Sequence, residues 1–478
     1  MSGFDNSRLA AVVLGAGKGT RMKSDAPKVL HPVCGRPIIE YVLDAVASVG
    51  AGETVLVVGQ GSEEVRAEVG TGVRYVEQGE PLGTGHAVRV ALEDLGEDFD
   101  EILVLPGDSP LIRGETLRAL IDERRAQDAT ASLVTAELEK PDGYGRLVRD
   151  ASGGVERITE ERDASDEERA IKEVNGCTYA FNRPLAEETL GLLTTDNAKS
   201  EYYLTDVVEL FVSGGHKVVP VGAPAEEVLG VNNREELAIV DSIMRSRINK
   251  ELMNTGVTIV DPDKTYVDYG VEIGRDTVIM PLVFITGRSR IGSRCRMGPC
   301  TAVKDTVVGD RCVVEFSWLN GCEIDEDVNI GPFSRLRPGT KMRAGSKAGS
   351  FVEIKNTVVG PGSKVPHLSY MGDAVIGDDV NIGAGSITCN FDGEKKHSTE
   401  IGDRAFIGSD TMFIAPVKIG KEAATAAGSS ISKDVPDGGL GIERADQENI
   451  GEWRERRKKK GSKKKGTRKS HDAGEVPL

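Results

Sequence analysis

Residues 8–22, RLAAVVLGAGKGTRM, run from an almost unbroken apolar stretch straight into a loop holding three glycines, Gly15, Gly17 and Gly19. A short apolar run that stops at glycine suits a strand covered on both faces. The loop itself fits neither common phosphate-binding pattern. A dinucleotide fingerprint begun at Gly15 and Gly17 needs its third glycine where Thr20 stands, and no glycine here precedes a Gly-Lys-Ser/Thr at the Walker spacing. Glycines still let backbone N–H groups approach an anion, and Lys18, Arg21 and Lys28 supply positive charge beside them.

Outward from this loop the same texture repeats. ETVLVVG (53–59), EILVLPGD (101–108) and HKVVPVG (216–222) read as further strands, while PIIEYVLDAVASVG (37–50) and GETLRALIDERRAQ (114–127) read as amphipathic helices. Alternation of this kind over residues 8–230 predicts an α/β, doubly wound, Rossmann-like sheet. Ligands of such sheets bind outside the carboxyl ends of the strands, where LGAGKG and LPGDSP both fall. Asp108 ends a strand there; a turn aspartate is the plainer reading of GDSP, and a ligand-facing carboxylate is the functional one.

Residues 233–250, NREELAIVDSIMRSRINK, carry apolar side chains at 237, 240, 244 and 248 and predict a joining helix. Beyond it the period changes. Aliphatic-glycine pairs recur at 273/274, 291/292, 297/298, 330/331, 376/377, 382/383, 401/402, 407/408 and 419/420, with spacings of 6, 12 or 18 within blocks. This is a hexapeptide repeat, predicting a parallel β-helix in which aliphatic side chains point inward and three hexapeptides make a coil. The phase slips between 383 and 401, and the polar run TCNFDGEKKHS (388–398) marks an excursion from the coil. The expected organisation is therefore a doubly wound α/β domain over 1–232, a linker helix over 233–256, a β-helix over 257–453, and a basic, disordered tail over 454–478.

The chain of 478 residues has net charge −16, yet residues 454–469 hold eleven Lys or Arg against one acid. An acidic body with a basic end argues against nucleic acid as the main ligand and makes any phosphate site local. The seven cysteines form no C-x-x-C pair and read as free thiols of a cytoplasmic protein. No apolar run approaches a membrane span.

LGAGKGTRM and PKVLH resemble the signature of sugar-1-phosphate nucleotidyltransferases, and EQGEPLGTGHA, LPGDSPL, GYGR, ITEERDA, EVNGCTYAF and GVNNR follow in that order. With a hexapeptide β-helix attached, residues 8–453 resemble the bacterial bifunctional N-acetylglucosamine-1-phosphate uridyltransferases/glucosamine-1-phosphate N-acetyltransferases. The resemblance implies a left-handed β-helix, a homotrimer, Mg²⁺, and acetyl-CoA as co-substrate. It places UTP against Leu14, Gly15, Ala16 and Gly17, with Lys28 and Arg21 acting on the phosphates, and uracil at Gln78, Gly83 and Thr84. It places the amino sugar at Gly145, Glu160 and Asn175, and Mg²⁺ on Asp108 and Asn232. A hard cation that takes one or two protein oxygens and fills its other positions with phosphate and water suits that pair.

In the β-helix, RLRPG, FVEIKN, HLSYMGDAVIG, NIGAG, TCNFDG and FIGSD resemble the family's acetyltransferase site. The resemblance implies that Arg337, Lys355 and Asn390 bind the phosphate of glucosamine 1-phosphate and that Tyr370 and Asn381 position the sugar. Phe391 stands where the family commonly has Tyr. Acetyl-CoA is implied at Ala384, Ser409, Ala427 and Arg444. His367 is implied as general base, oriented by Glu353, because an amine attacking a thioester must be neutral and must later shed a proton. The implied sequence is acetylation of glucosamine 1-phosphate, then uridylyl transfer to N-acetylglucosamine 1-phosphate. A nucleotidyltransferase whose β-helix only assembles subunits, and a scaffold with degenerate sites, are the alternatives.

Overall fold

The computed structural model describes residues 6–17 and 19–458; Lys18 and the tail beyond residue 458 lie outside the described residues. The chain divides into two compact units at Gly339/Thr340.

The first unit begins with a sheet of strands β1 (Leu9–Leu14), β2 (Glu53–Val58), β3 (Arg74–Glu77), β4 (Glu101–Pro106), β5 (Ala131–Glu137), β6 (Glu173–Asn182) and β7 (Val218–Gly222). Their order is β7-β5-β6-β4-β1-β2-β3. Along β1 the side chains alternate between two cores. Ala10 and Val12 pack with Val88, Leu92, Val207 and Phe211, and Leu9, Ala11 and Val13 pack with Val42, Val46, Leu117 and Ile121. Both faces are covered by helices, which is why the strand reads as a continuous apolar run. The expected parallel sheet has one interruption. β6 runs antiparallel to β4 and β5, and the chain between β5 and β6 forms a hairpin (Arg146–Arg149 with Val155–Thr159) and a single helical turn.

The joining helix, α1 (Arg234–Asn254), starts with an Asn233 side chain that accepts from the Glu236 N–H at 2.9 Å. Its buried stripe is Val240, Met244 and Ile248, the 3.6-residue period read from the sequence. Asn249, fully buried, donates through Nδ2 to the carbonyls of Pro262 (2.9 Å) and Thr265 (3.1 Å) and ties the helix to the next coil.

From Thr258 to Gly441 the chain forms the left-handed parallel β-helix, as three parallel ladders of very short strands in each unit. Ile291, Met297, Ile330, Ile376, Ile382, Ile401, Ile407 and Ile419 from the repeat are buried. The coils are less uniform than the repeat. Glu272 pairs with Arg290, 18 residues on; Arg290 pairs with Val307 after 17, and Val307 with Glu323 after 16. In the second unit Val358 pairs with Val375 after 17 residues, and Val375 with Glu400 after 25. Stacking fixes only the rungs, so corners absorb deletions and one long insertion, and the aliphatic-glycine series skips where they do so. Residues 453–458, all but the first of them inside the stretch expected to be disordered, are helical, as their Arg, Glu and Lys content favours.

Candidate functional sites

β1, β2 and β4 are mutually parallel, so their carboxyl ends share one edge, and a cleft of about 800 Å³ opens there. Gly15 N–H donates to Val57 O at 2.8 Å and Gly107 N–H to Leu14 O at 2.9 Å, pinning the loop across three strand ends. A Cβ on Gly15 would lie 3.1 Å from Val57 O, tighter than ordinary contact, so glycine eases the close approach. Leu14, Gly15, Ala16 and Gly17 line the cleft, as do Arg21 and Lys28.

Asp108 lies just past β4, and its carbonyl accepts from Val231 N–H at 2.9 Å, which brings Asn232 alongside. Lys28 Nζ donates to Asp108 Oδ2 and, at 3.3 Å, to Asn232 Oδ1; Arg21 donates to the same Asn232 oxygen at 2.9 Å. Glu236 accepts from Asn232 N–H at 2.7 Å and steadies it. Two hard oxygen donors and two cations thus converge at one end of the cleft.

Gln78 is buried, donates to Gly83 O at 3.0 Å and faces His86 Nδ1 at 3.1 Å. Gly83 has φ 114° and sits against the Tyr202 backbone, a conformation and a clearance that other residues lack. Thr84 Oγ1 accepts from Leu204 N–H at 3.1 Å. Across the cleft, Gly145 O accepts from Asn175 N–H at 2.9 Å. The Asn175 side chain is locked: Nδ2 donates to Tyr179 Oη at 2.6 Å and Oδ1 accepts from Cys177 N–H at 3.1 Å. Burial pushes the Glu160 carboxyl above the usual range, opposed by the Lys199 charge and by Thr205, whose hydroxyl donates to it at 3.3 Å. Every described residue named for uridylyl transfer therefore lines this one cleft. The sequence reading missed Tyr144, Cys177, Lys199, Tyr203 and Thr205, which line it too. Burial raises the Tyr144 hydroxyl to about 12. A strand-end cleft takes residues from every adjacent loop, and the polar loop 196–205 carries no periodic signal.

In the second unit a shallower cleft of about 470 Å³ is lined by His367, Asn381, Ala384, Ser409 and Ala427. Stacking explains the convergence. His367 O accepts from Gly385 N–H (3.2 Å), Ala384 O from Asp410 N–H (2.7 Å) and Ser409 O from Gly428 N–H (2.8 Å), so one residue per coil forms a column. Arg444 caps it, donating to Ala427 O at 3.2 Å. Gly408 underlies the cleft because a Cβ there would meet the Thr425 carbonyl and Ala427 N–H at 2.5 Å.

Lys355, Tyr370, Asn390 and Phe391 are not among the residues lining that cleft. Glu353 and Lys355 lie in a neighbouring ladder, where Glu353 pairs with Tyr370. Asn390 donates to Asp373 Oδ2 at 2.5 Å and Asn356 to Asp373 Oδ1 at 2.7 Å. Burial would raise the Asp373 carboxyl, but those donors and the Lys355 charge hold it below the usual range. Phe391 is exposed in the insertion, whose Asp392 accepts from His397 Nε2 at 2.6 Å. Arg337 belongs to the first unit, in the turn after Arg335–Leu336.

A glycine loop and carboxylate at the carboxyl edge of an α/β sheet, followed by a hexapeptide β-helix with its own cleft, define a nucleotidyltransferase joined to an acyltransferase. Residues 11–174 match the family described as MobA-like NTP transferase domain, and residues 399–433 match the hexapeptide repeat of succinyl-transferase. The "Bifunctional protein GlmU" of Geobacillus sp. (strain WCH70) is 49% identical, covering 92% of this chain and 96% of its own length. The proteins of that name from Thermoanaerobacter pseudethanolicus (47%; 95% and 99% covered) and Heliobacterium modesticaldum (46%; 91% and 95%) are similar along comparable lengths. The chain belongs to the GlmU family of bifunctional enzymes. It is a glucosamine-1-phosphate N-acetyltransferase and an N-acetylglucosamine-1-phosphate uridyltransferase in one polypeptide.

Proposed function

We propose that uridylyl transfer takes place in the strand-end cleft and acetyl transfer on the stacked column of the β-helix. The observation that carries the first assignment is the convergence of Lys28, Arg21, Asp108 and Asn232 at the end of the glycine loop. The Asp108 carboxylate and the Asn232 amide oxygen fit Mg²⁺, which takes few protein ligands and completes its octahedron with phosphate and water. Bound there, the metal supplies charge neutralisation between the two phosphate-bearing substrates. The backbone of Leu14–Gly17 cradles the triphosphate of UTP, and Gln78, Gly83 and Thr84 read the uracil. Gly145, Glu160 and Asn175 hold the amino sugar. An oxygen of the sugar 1-phosphate attacks the α-phosphorus, the bond to the β-phosphate breaks, and pyrophosphate leaves. The attacking monoester is already an anion, so no general base is required; Lys28 and Arg21 neutralise charge and fix the in-line geometry.

In the second site His367 accepts the proton of the substrate amine as nitrogen attacks the thioester carbonyl, giving the amide and the free thiol of coenzyme A. Ala384, Ser409, Ala427 and Arg444 hold acetyl-CoA along the column. Lys355, Asn390, Tyr370 and Asn381 receive the sugar phosphate, with Phe391 able to stack where a phenol could also hydrogen-bond. Substrates of this kind place the enzyme in the cytoplasm. Exposed apolar side chains at one corner of successive coils, such as Phe351 and Leu368, support assembly into a trimer; light scattering giving a fully active monomer would overturn that.

The test is a pair of substitutions in the full chain. Asp108→Ala is expected to reduce uridylyl transfer by at least about 10²-fold and to spare acetyl transfer. His367→Ala is expected to reduce acetyl transfer by at least about 10²-fold and to spare uridylyl transfer. Acetyl transfer within about threefold of the wild-type rate would exclude His367 as base.

A further inference from the structure

We infer that Lys199 is a specificity-determining residue of the uridylyl site, donating to an oxygen of the sugar ring opposite the carboxylate of Glu160. This rests on the reading above that the sugar lies between Gly145, Glu160 and Asn175. Arg21, Lys28 and Lys199 are the cations that line the cleft among the described residues. Arg21 and Lys28 bond to Asn232 and Asp108 at the phosphate end. Lys199 stands close enough to Glu160 for its charge to act on that carboxyl, its ammonium is 5.4 Å from the Tyr203 ring centroid, and it forms no ion pair among the described residues. An ammonium held over an aromatic ring in a cleft has donors left for a ligand.

The loop that presents it is built rather than loose. Asn197 Oδ1 accepts from the N–H groups of Lys199 and Glu201, both at 3.2 Å, and its Nδ2 donates to Glu201 O at 2.6 Å. Ala198 N–H donates to Asp163 Oδ1 at 3.0 Å, fastening this loop to the one that carries Glu160. Ammonium and carboxylate thus reach the same end of the cleft from two joined loops. A cation that donates and an anion that accepts are complementary to adjacent hydroxyl groups, each of which is both acceptor and donor.

The pair has an electrical consequence. An ionised Glu160 accepts on both oxygens and makes the stronger, charge-assisted bond to a hydroxyl. Burial opposes that, and Asp163, Glu201 and Asp206 add negative charge around it; Cys177, Tyr179 and Tyr203 also face it, and Lys199 is the cation that counters them. Removing the ammonium therefore raises the pH needed to keep Glu160 charged.

The test uses the full chain with UTP and N-acetylglucosamine 1-phosphate, varied separately from pH 5.5 to 8.5. Lys199→Gln is expected to raise KM for the sugar phosphate about tenfold, the order of one charge-assisted hydrogen bond, with KM for UTP within about twofold. The acid limb of the sugar-phosphate KM profile should move to higher pH, and Lys199→Arg should restore both. An unchanged sugar-phosphate KM and profile in Lys199→Gln would overturn the inference, as would equal increases in both KM values. Glu160→Gln separates the two levels of the argument. If it too left the sugar-phosphate KM unchanged, the placement of the sugar would fall; if it raised KM while Lys199→Gln did not, only the role of Lys199 would fall.

Discussion

At the scale of single residues, Asp206 shows how the substrate cleft costs the fold stability. It starts the helix Asp206–Ser213, where a negative charge is ordinarily welcome. Burial, with Glu160 and Glu209 nearby, nevertheless lifts its carboxyl to about 6 from an unperturbed 3.8. Between those values the folded state holds a proton that the unfolded chain has released, so stability from this group is complete below 3.8 and is lost as pH rises through about 6. Asp206→Asn should therefore raise Tm near neutral pH and leave it unchanged well below the unperturbed value. Equal gains at both ends of a pH series of melting curves would mean that the carboxyl charge is not the source. Residues such as Asp206 and Lys199 were not legible in the sequence. Each owes its character to loops brought together from distant positions, whereas Asp108 and His367 sit in motifs that announce themselves locally.

At the scale of elements, the strand β1 and the helix α1 were legible because burial selects apolar residues, as an unbroken run in a strand covered on both faces and at a 3.6-residue period in a helix buried on one. The direction of β6 was not, since a strand's apolar pattern is the same whichever way it runs. Coil length was legible only on average: rungs repeat, while corners lose one or two residues or gain the 388–398 excursion without disturbing the stack. The junction between α1 and the first coil hangs on a polar residue that no periodicity reveals. Asn249 gives two hydrogen bonds through Nδ2, yet its buried Oδ1 has no partner among the described residues. Asn249→Ala loses both bonds and also removes the orphaned oxygen, so its net cost should be only about 1 kcal/mol. Asn249→Asp replaces the donor with a buried negative charge facing two carbonyls and should cost at least about 3 kcal/mol. Urea unfolding of the two variants gives the order, and a reversed order would mean that the side chain does not act through those bonds.

At the scale of the whole molecule, two chemistries share a chain, and the residues proposed for one do not overlap with those proposed for the other. The residues proposed for uridylyl transfer lie between Leu14 and Asn232, in the first unit, and His367 with the column proposed for acetyl-CoA lies in the second. The two reactions are linked by a product: N-acetylglucosamine 1-phosphate leaves one site as a small, highly charged molecule and enters the other as substrate. Each cleft opens to solvent, so exchange through solution is the expected route. Consequently a mixture of Asp108→Ala and His367→Ala proteins, each unable to convert glucosamine 1-phosphate to the uridylylated product alone, should do so together when supplied with acetyl-CoA, UTP and Mg²⁺. The time course should show a lag while the acetylated intermediate accumulates, and the lag should shorten as total protein is raised. Adding ready-made N-acetylglucosamine 1-phosphate should abolish it. A mixture that stayed inactive, while each variant kept its remaining half-reaction, would mean that the intermediate must pass within one molecule and that the two sites are coupled after all.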